Sequence, residues 1–119
     1  MSSKNLGDIG EDIACGHLET QGYKILMRNY CSRIGEIDII AEEGNTLVFI
    51  EVKTKSNKDF GLPQEMVNYK KQQKLIRLAQ AYLKEKNLSE EQAWRIDVVA
   101  ITKNKDKQNI QLIKNAVEA

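Results

Sequence analysis

Residues 35–53 read Gly35-Glu36-Ile37-Asp38-Ile39-Ile40-Ala41-Glu42-Glu43-Gly44-Asn45-Thr46-Leu47-Val48-Phe49-Ile50-Glu51-Val52-Lys53, and the alternation within them decides the fold. Successive side chains of a strand point to opposite faces. Ile37, Ile39 and Ala41 are therefore expected on one face, and Glu36, Asp38 and Ile40 on the other. In the second half, Val48, Ile50 and Val52 share a face, while Leu47, Phe49, Glu51 and Lys53 share the opposite one. Glu42-Glu43-Gly44-Asn45 is turn chemistry, so the whole stretch reads as a β-hairpin. A loop at Gly44-Asn45 and a longer one over 43–46 give the same register: Ile39 against Ile50, Ala41 against Val48, Asp38 against Glu51. An odd loop without a bulge would set Asp38 against a core aliphatic residue, which a buried face forbids. Two carboxylates are thus expected side by side, with Lys53 two residues along on the face of Glu51.

Working outward, Ile9, Ile13 and Leu18 recur near a helical period and Gly22 offers a C-terminal stop, which predicts a helix over 4–21. Tyr23 to Asn29 reads as a strand. Ser56-Asn57-Lys58-Asp59 and the single proline, Pro63, mark the one conspicuous break. Beyond it Leu75, Ile76, Ala79, Tyr82 and Leu83 predict a long helix from Asn68, its N-cap, to Lys86. Strands over Arg95–Ile101 and, more weakly, Asn109–Ile113 complete the order αβββαββ. The fold class is α/β or α+β, a mixed β-sheet flanked by helices. No repeat or linker divides the chain, so 1–119 is expected to be one domain.

Composition excludes several classes. With 41% hydrophobic and 29% charged residues the chain is neither disordered nor fibrous. Apolar runs such as Leu47-Val48-Phe49-Ile50 are too short for a membrane helix, so no membrane partner is expected. The start lacks the apolar core of a secretory signal, and Cys15 and Cys31 read as reduced thiols; both point to the cytoplasm. Those two cysteines and one histidine, His17, have no zinc spacing. The formal charge of +1 hides an asymmetry: residues 1–52 balance to −5 and residues 53–88 to +6. An acidic site beside a basic surface is compatible with these counts, as are two ordinary solvated faces.

Opposed carboxylates are costly. At about 4 Å and an effective dielectric of about 20, two like charges repel by roughly 4 kcal/mol. A small domain is stable by only about 5–15 kcal/mol. A shared proton, a cation such as Lys53, or a metal must offset the repulsion. Oxygen-only ligands suit Mg²⁺ or Mn²⁺, and such an ion activates water for attack on a phosphodiester. A surface salt-bridge cluster of Asp38, Glu51 and Lys53 is the plain alternative. Glu11, on the preceding helix, can reach the same end of the site.

These residues carry a resemblance. Glu11, Gly35-Glu36-Ile37-Asp38 and Glu51-Val52-Lys53 resemble the PD-(D/E)XK nuclease superfamily, most of all Holliday-junction resolvases. More closely, the chain is similar to the YraN family of small bacterial proteins. The similarity runs through Gly10-Glu11, Gly22-Tyr23, Arg28-Asn29, the hairpin, Lys71-Gln72 and Arg95-Ile96-Asp97-Val98-Val99. The resemblance implies a restriction-endonuclease-like core that holds a divalent ion through Asp38, Glu51, the Val52 carbonyl and Glu11. Lys53 would be its catalytic lysine. Ile37 stands where the superfamily name has proline.

The expected activity is Mg²⁺- or Mn²⁺-dependent endonucleolytic hydrolysis of DNA, with branched or structured DNA as a candidate substrate. Arg28, Arg33, Lys55 and Lys71 are the candidate phosphate contacts, and each has an ordinary surface role as its alternative. Aromatic residues make up only 6%, which favours backbone and shape recognition over base stacking. A homodimer is expected by analogy with resolvases. The competing readings are a weakly active or inactive nucleic-acid-binding or scaffold module on the same fold, and an interaction protein with an incidental acidic cluster. Asp97 beside Arg95 reads as structural, and Tyr82, Trp94 and His17 as packing or surface residues.

Overall fold

A computed structural model describes residues 6–56, 67–104 and 107–117. The elements are α1 (Leu6–Thr20), β1 (Lys24–Cys31), β2 (Glu36–Glu43), β3 (Thr46–Ser56), α2 (Tyr69–Glu85), β4 (Trp94–Asn104) and β5 (Lys107–Val117). Their order is αβββαββ, and the strands form one five-stranded sheet in the order β1-β2-β3-β4-β5. β3 and β4 run parallel, joined by the segment that contains α2; the other neighbours are antiparallel. This is the expected mixed sheet. Of the break at 56–63, only Ser56, the last residue of β3, falls among the described residues.

Alternation along the hairpin sends side chains into two cores on opposite faces. Val48 and Ile50 meet Ala14, Cys15 and Leu18 of α1 in one; Leu47 and Phe49 meet Leu75, Leu78, Ala79 and Tyr82 of α2 in the other. β2 and β3 turn at Gly44-Asn45, where Gly44 takes a φ of 60°. Their register sets Ile39 against Ile50 and Ala41 against Val48, as the parity of the sequence requires.

Two departures matter for the site. Ile37 joins the α2-side core with Ile40, not the α1-side core that holds Ile39 and Ala41. Strict alternation therefore fails at Asp38. Next door in β1, Asn29 lies between Arg28, opposite Ile39, and Tyr30, opposite Ile37, with a φ of 53°. A left-handed residue in one strand and a broken alternation in its neighbour are two sides of one kink. The second departure is that the β2–β3 ladder reaches only to Ile39–Ile50, while β3 continues beside β4 to Ser56. Beyond Ile50, the edge of β3 that faces β2 is open to side chains.

β4 and β5 extend beyond the expected 95–101 and 109–113. Trp94 is drawn into β4 by edge-on packing against Phe49. β5 is an edge strand with mostly exposed side chains, so its sequence shows little of the alternation that a buried strand would.

Candidate functional site

Asp38 occupies the opening between β2 and β3. Its Oδ2 accepts a hydrogen bond from the Val52 N–H at 2.8 Å, where a backbone carbonyl of a longer β2 ladder would otherwise stand. Burial pushes the Asp38 carboxyl above its ordinary range, and the Val52 N–H opposes that shift.

Glu11 arrives from α1. A Cβ on Gly10 would stand 2.5 Å from Thr54 Oγ1 and 3.8 Å from Val52 Cγ1, so the glycine lets α1 approach the far part of β3 closely. The next residue, Glu11, is 8% exposed. Burial first, and then the Asp38 charge, raises its carboxyl above the ordinary range. Its Oε1 is buried without a hydrogen bond, and Arg28 Nη2 is 3.6 Å away. Arg28 is committed more closely to Asp12, at 2.8 Å.

Carboxylate oxygens of Glu11, Glu36 and Asp38 lie within 4.8 Å of one another. Glu36 is the member that sequence reading did not single out. Its signal was the spacing Glu36-x-Asp38, which places both acids on one side of a strand. Three carboxylates at this range, one with a buried and unsatisfied oxygen, suit a hard divalent cation. The donor set is all oxygen, and although Glu36 is exposed the three acids could hold a hard divalent ion, the class to which Mg²⁺ and Mn²⁺ belong.

Glu51 is 6% exposed and stands outside that trio. Lys71 Nζ is 3.6 Å from its Oε2 and Lys53 Nζ is 3.9 Å from its Oε1. Burial, followed by the Asp38 charge, pushes Glu51 up to about 7, while the two lysines pull it down. A carboxyl in that range can hold or release a proton near neutrality.

The structure thus brings together Glu11, Asp38, Glu51, Val52, Lys53 and Lys71. Arg28 flanks the acids but is paired with them. Arg33, just outside β1, and Lys55, on β3, are exposed. Lys71 sits in the first turn of α2, which Asn68 caps by accepting from the Lys71 N–H at 2.8 Å. A larger cavity, about 470 Å³, lies near the opposite end of α2 among Leu83, Leu88 and Trp94 and includes none of these residues.

A second polar group is structural. Asp97, fully buried, accepts from Tyr23 Oη at 2.8 Å, Arg95 Nε at 3.0 Å and the Asn115 N–H at 2.8 Å. Arg95 continues to Glu43 at 2.6 Å, and Lys114 reaches Glu43 at 2.9 Å.

The sequence profile described as "Uncharacterised protein family UPF0102" matches residues 10–101. Among the chain's relatives, a UPF0102 protein of Caldanaerobacter subterraneus subsp. tengcongensis is 40% identical over 119 residues, covering 100% of this chain and 97% of that protein. One from Flavobacterium johnsoniae is 46% identical over 113 residues, with coverages of 93% and 92%. One from Alkaliphilus oremlandii is 45% identical over 116 residues, with coverages of 96% and 98%. Among solved structures, Pyrococcus furiosus SfsA in complex with Ca²⁺ aligns with a TM-score of 0.41 at 16% identity. That alignment covers 95% of this chain and 64% of the SfsA chain, so this chain spans less than two thirds of that protein.

Proposed function

The chain belongs to the uncharacterised protein family UPF0102, and on that premise we propose that it is a divalent-metal-dependent endonuclease acting on DNA. One observation carries the reading: the buried, unsatisfied Glu11 Oε1 stands with Glu36 and Asp38 oxygens within 4.8 Å of one another, beside a lysine-flanked Glu51. The finer likeness to YraN-type proteins, PD-(D/E)XK nucleases and Holliday-junction resolvases rests on Glu11, Asp38 and Glu51-Val52-Lys53.

Asp38, Glu11 and Glu36 would hold Mg²⁺ or Mn²⁺, with Glu51 and the Val52 carbonyl available from β3. The ion, when bound, supplies positive charge to a phosphate oxygen and acidifies a water. The chain does the rest. Val52 N–H fixes the Asp38 carboxylate in orientation, as a partner behind a ligand should. Lys53 is placed to offset negative charge that develops on phosphorus. Glu51 would add its carboxylate to the ion's surroundings from β3, with Lys53 and Lys71 limiting the negative charge there. Structured DNA in the cytoplasm, cut by a homodimer that carries two such sites, is the fullest form of this proposal. Free Cys15 and Cys31 are compatible with a reducing compartment.

Two measurements test it. Millimolar Mn²⁺ should raise the melting temperature of the wild type by several degrees and that of Asp38→Asn by less. Wild type with Mn²⁺ should nick plasmid or four-way-junction DNA, and Lys53→Ala should lower the rate at least 100-fold. DNA binding without cleavage by either protein would favour the non-hydrolytic binding module. No thermal response to the ion would remove the metal centre.

A further inference from the structure

The first turn of α2 has its charges the wrong way round for stability. A helix N-terminus is the positive end of the macrodipole and favours acidic side chains. Here the first turn has none. It has Lys70 and Lys71, with Lys74 one turn on, and Asn68, Lys70, Lys71 and Lys74 together line an open cavity of about 230 Å³. Lys71 is offset by Glu51 at 3.6 Å. Lys70 and Lys74 have no ion pair among the described residues.

Lys74 also has a definite place. A Cβ on Gly35 would stand 2.6 Å from its Cε and 3.0 Å from its Nζ, so the lysine lies across the backbone of Gly35. The next residue is Glu36, one of the three clustered acids. Two of the lysines that line the bay thus reach the surroundings of the acids: Lys74 lies against Gly35, the residue before β2, and Lys71 pairs with Glu51. A single-sign cavity abutting a site of the opposite sign calls for a ligand with anionic groups in succession. A nucleic-acid backbone is such a ligand.

We propose that this bay, formed by Lys70, Lys71 and Lys74 with Asn68, seats a backbone phosphate next to the one presented to the carboxylates. The assignment deepens the nuclease reading and rests on it for the identity of the ligand. Lys71 belongs to both parts, since it lines the bay and stands 3.6 Å from Glu51. Lys70 and Lys74 position the substrate and take no part in bond breaking.

The test uses the full chain without divalent ions, which separates phosphate seating from hydrolysis. In a titration of ¹⁵N-labelled protein with inorganic phosphate, amide shifts should concentrate at 68–74 and at Gly35. Lys70→Ala/Lys74→Ala should weaken that binding at least fivefold. For a short DNA duplex, the slope of log K against log salt should fall in magnitude by about one in the double variant, for the one phosphate that the bay seats. Lys84→Ala/Lys86→Ala, at the other end of α2, should leave both readouts unchanged. An unchanged slope in Lys70→Ala/Lys74→Ala, or an equal fall in the control pair, overturns the bay. If neither wild type nor Lys53→Ala cleaves with Mn²⁺ while the titration behaves as expected, the hydrolytic reading fails and the phosphate seat stands.

Discussion

Glu51 is the residue whose environment is most at odds with its charge. It is almost wholly buried, faces Asp38, and among the described residues has two lysines, at 3.6 and 3.9 Å, to compensate. Its carboxyl is raised from 4.5 to about 7, so between those values the folded protein holds a proton that the unfolded chain has released. Stability must then fall as pH rises through this window, and the carboxyl's penalty is complete above 7. Without metal, Glu51→Gln should be more stable than wild type by about 2–3 kcal/mol at pH 8. The two proteins should converge near pH 4.5. Urea denaturation at both pH values measures this, and equal stability at pH 8 would contradict the buried charge. In the sequence, Glu51 with Lys53 alone reads as an ordinary salt bridge; the hairpin register that brings Asp38 near it, and Glu11 on the preceding helix, are what single it out.

At the scale of elements, the site depends on how closely α1 lies against β3. Gly10 allows that approach, and Gly10→Ala would drive a methyl group to 2.5 Å from Thr54 Oγ1. The expected outcome is a loss of about 1–3 kcal/mol in stability. Mn²⁺ affinity should also weaken severalfold, because Glu11 moves with the helix. Calorimetric titration with Mn²⁺ reads the second effect, and unchanged affinity would show that Glu11 is not held by this contact. The β2–β3 register was legible because a slip by one would have turned every isoleucine and valine of the hairpin to the wrong face. The α2 start was legible because Asn68 caps it. What escaped was the behaviour of Asp38, since simple alternation set it opposite Glu51 as a ladder partner. The kink at Asn29 and the switch of Ile37 between cores are tertiary outcomes with no periodic signature. Glu36 had a signal in its spacing from Asp38, but its closeness to Glu11 exists only once α1 has docked. Lys70 and Lys74 were visible as charge but not as a bay, which needs Gly35 beneath Lys74.

At the scale of the molecule, the polar groups divide into two territories. One is the carboxylate site at the open edge of β3, with the lysines of α2. The other is the Asp97 network, which ties Tyr23, the end of β2 at Glu43, β4 and β5 together. Asp97 receives three hydrogen bonds in full burial, so Asp97→Ala should cost about 3–5 kcal/mol through the stranded Arg95 and Tyr23 groups. Thermal melts should show that loss, while the temperature increment produced by Mn²⁺ stays the same. A vanished increment would mean that the territories are coupled. The described helices include none long and apolar enough to cross a membrane. A wedge is the right picture for Asp38. The hairpin stops zipping at Ile39–Ile50 because a side chain has taken the N–H that the next rung needs. Anything that binds or protonates that side chain is expected to alter this one hydrogen bond, and the Val52 amide is the place to read it.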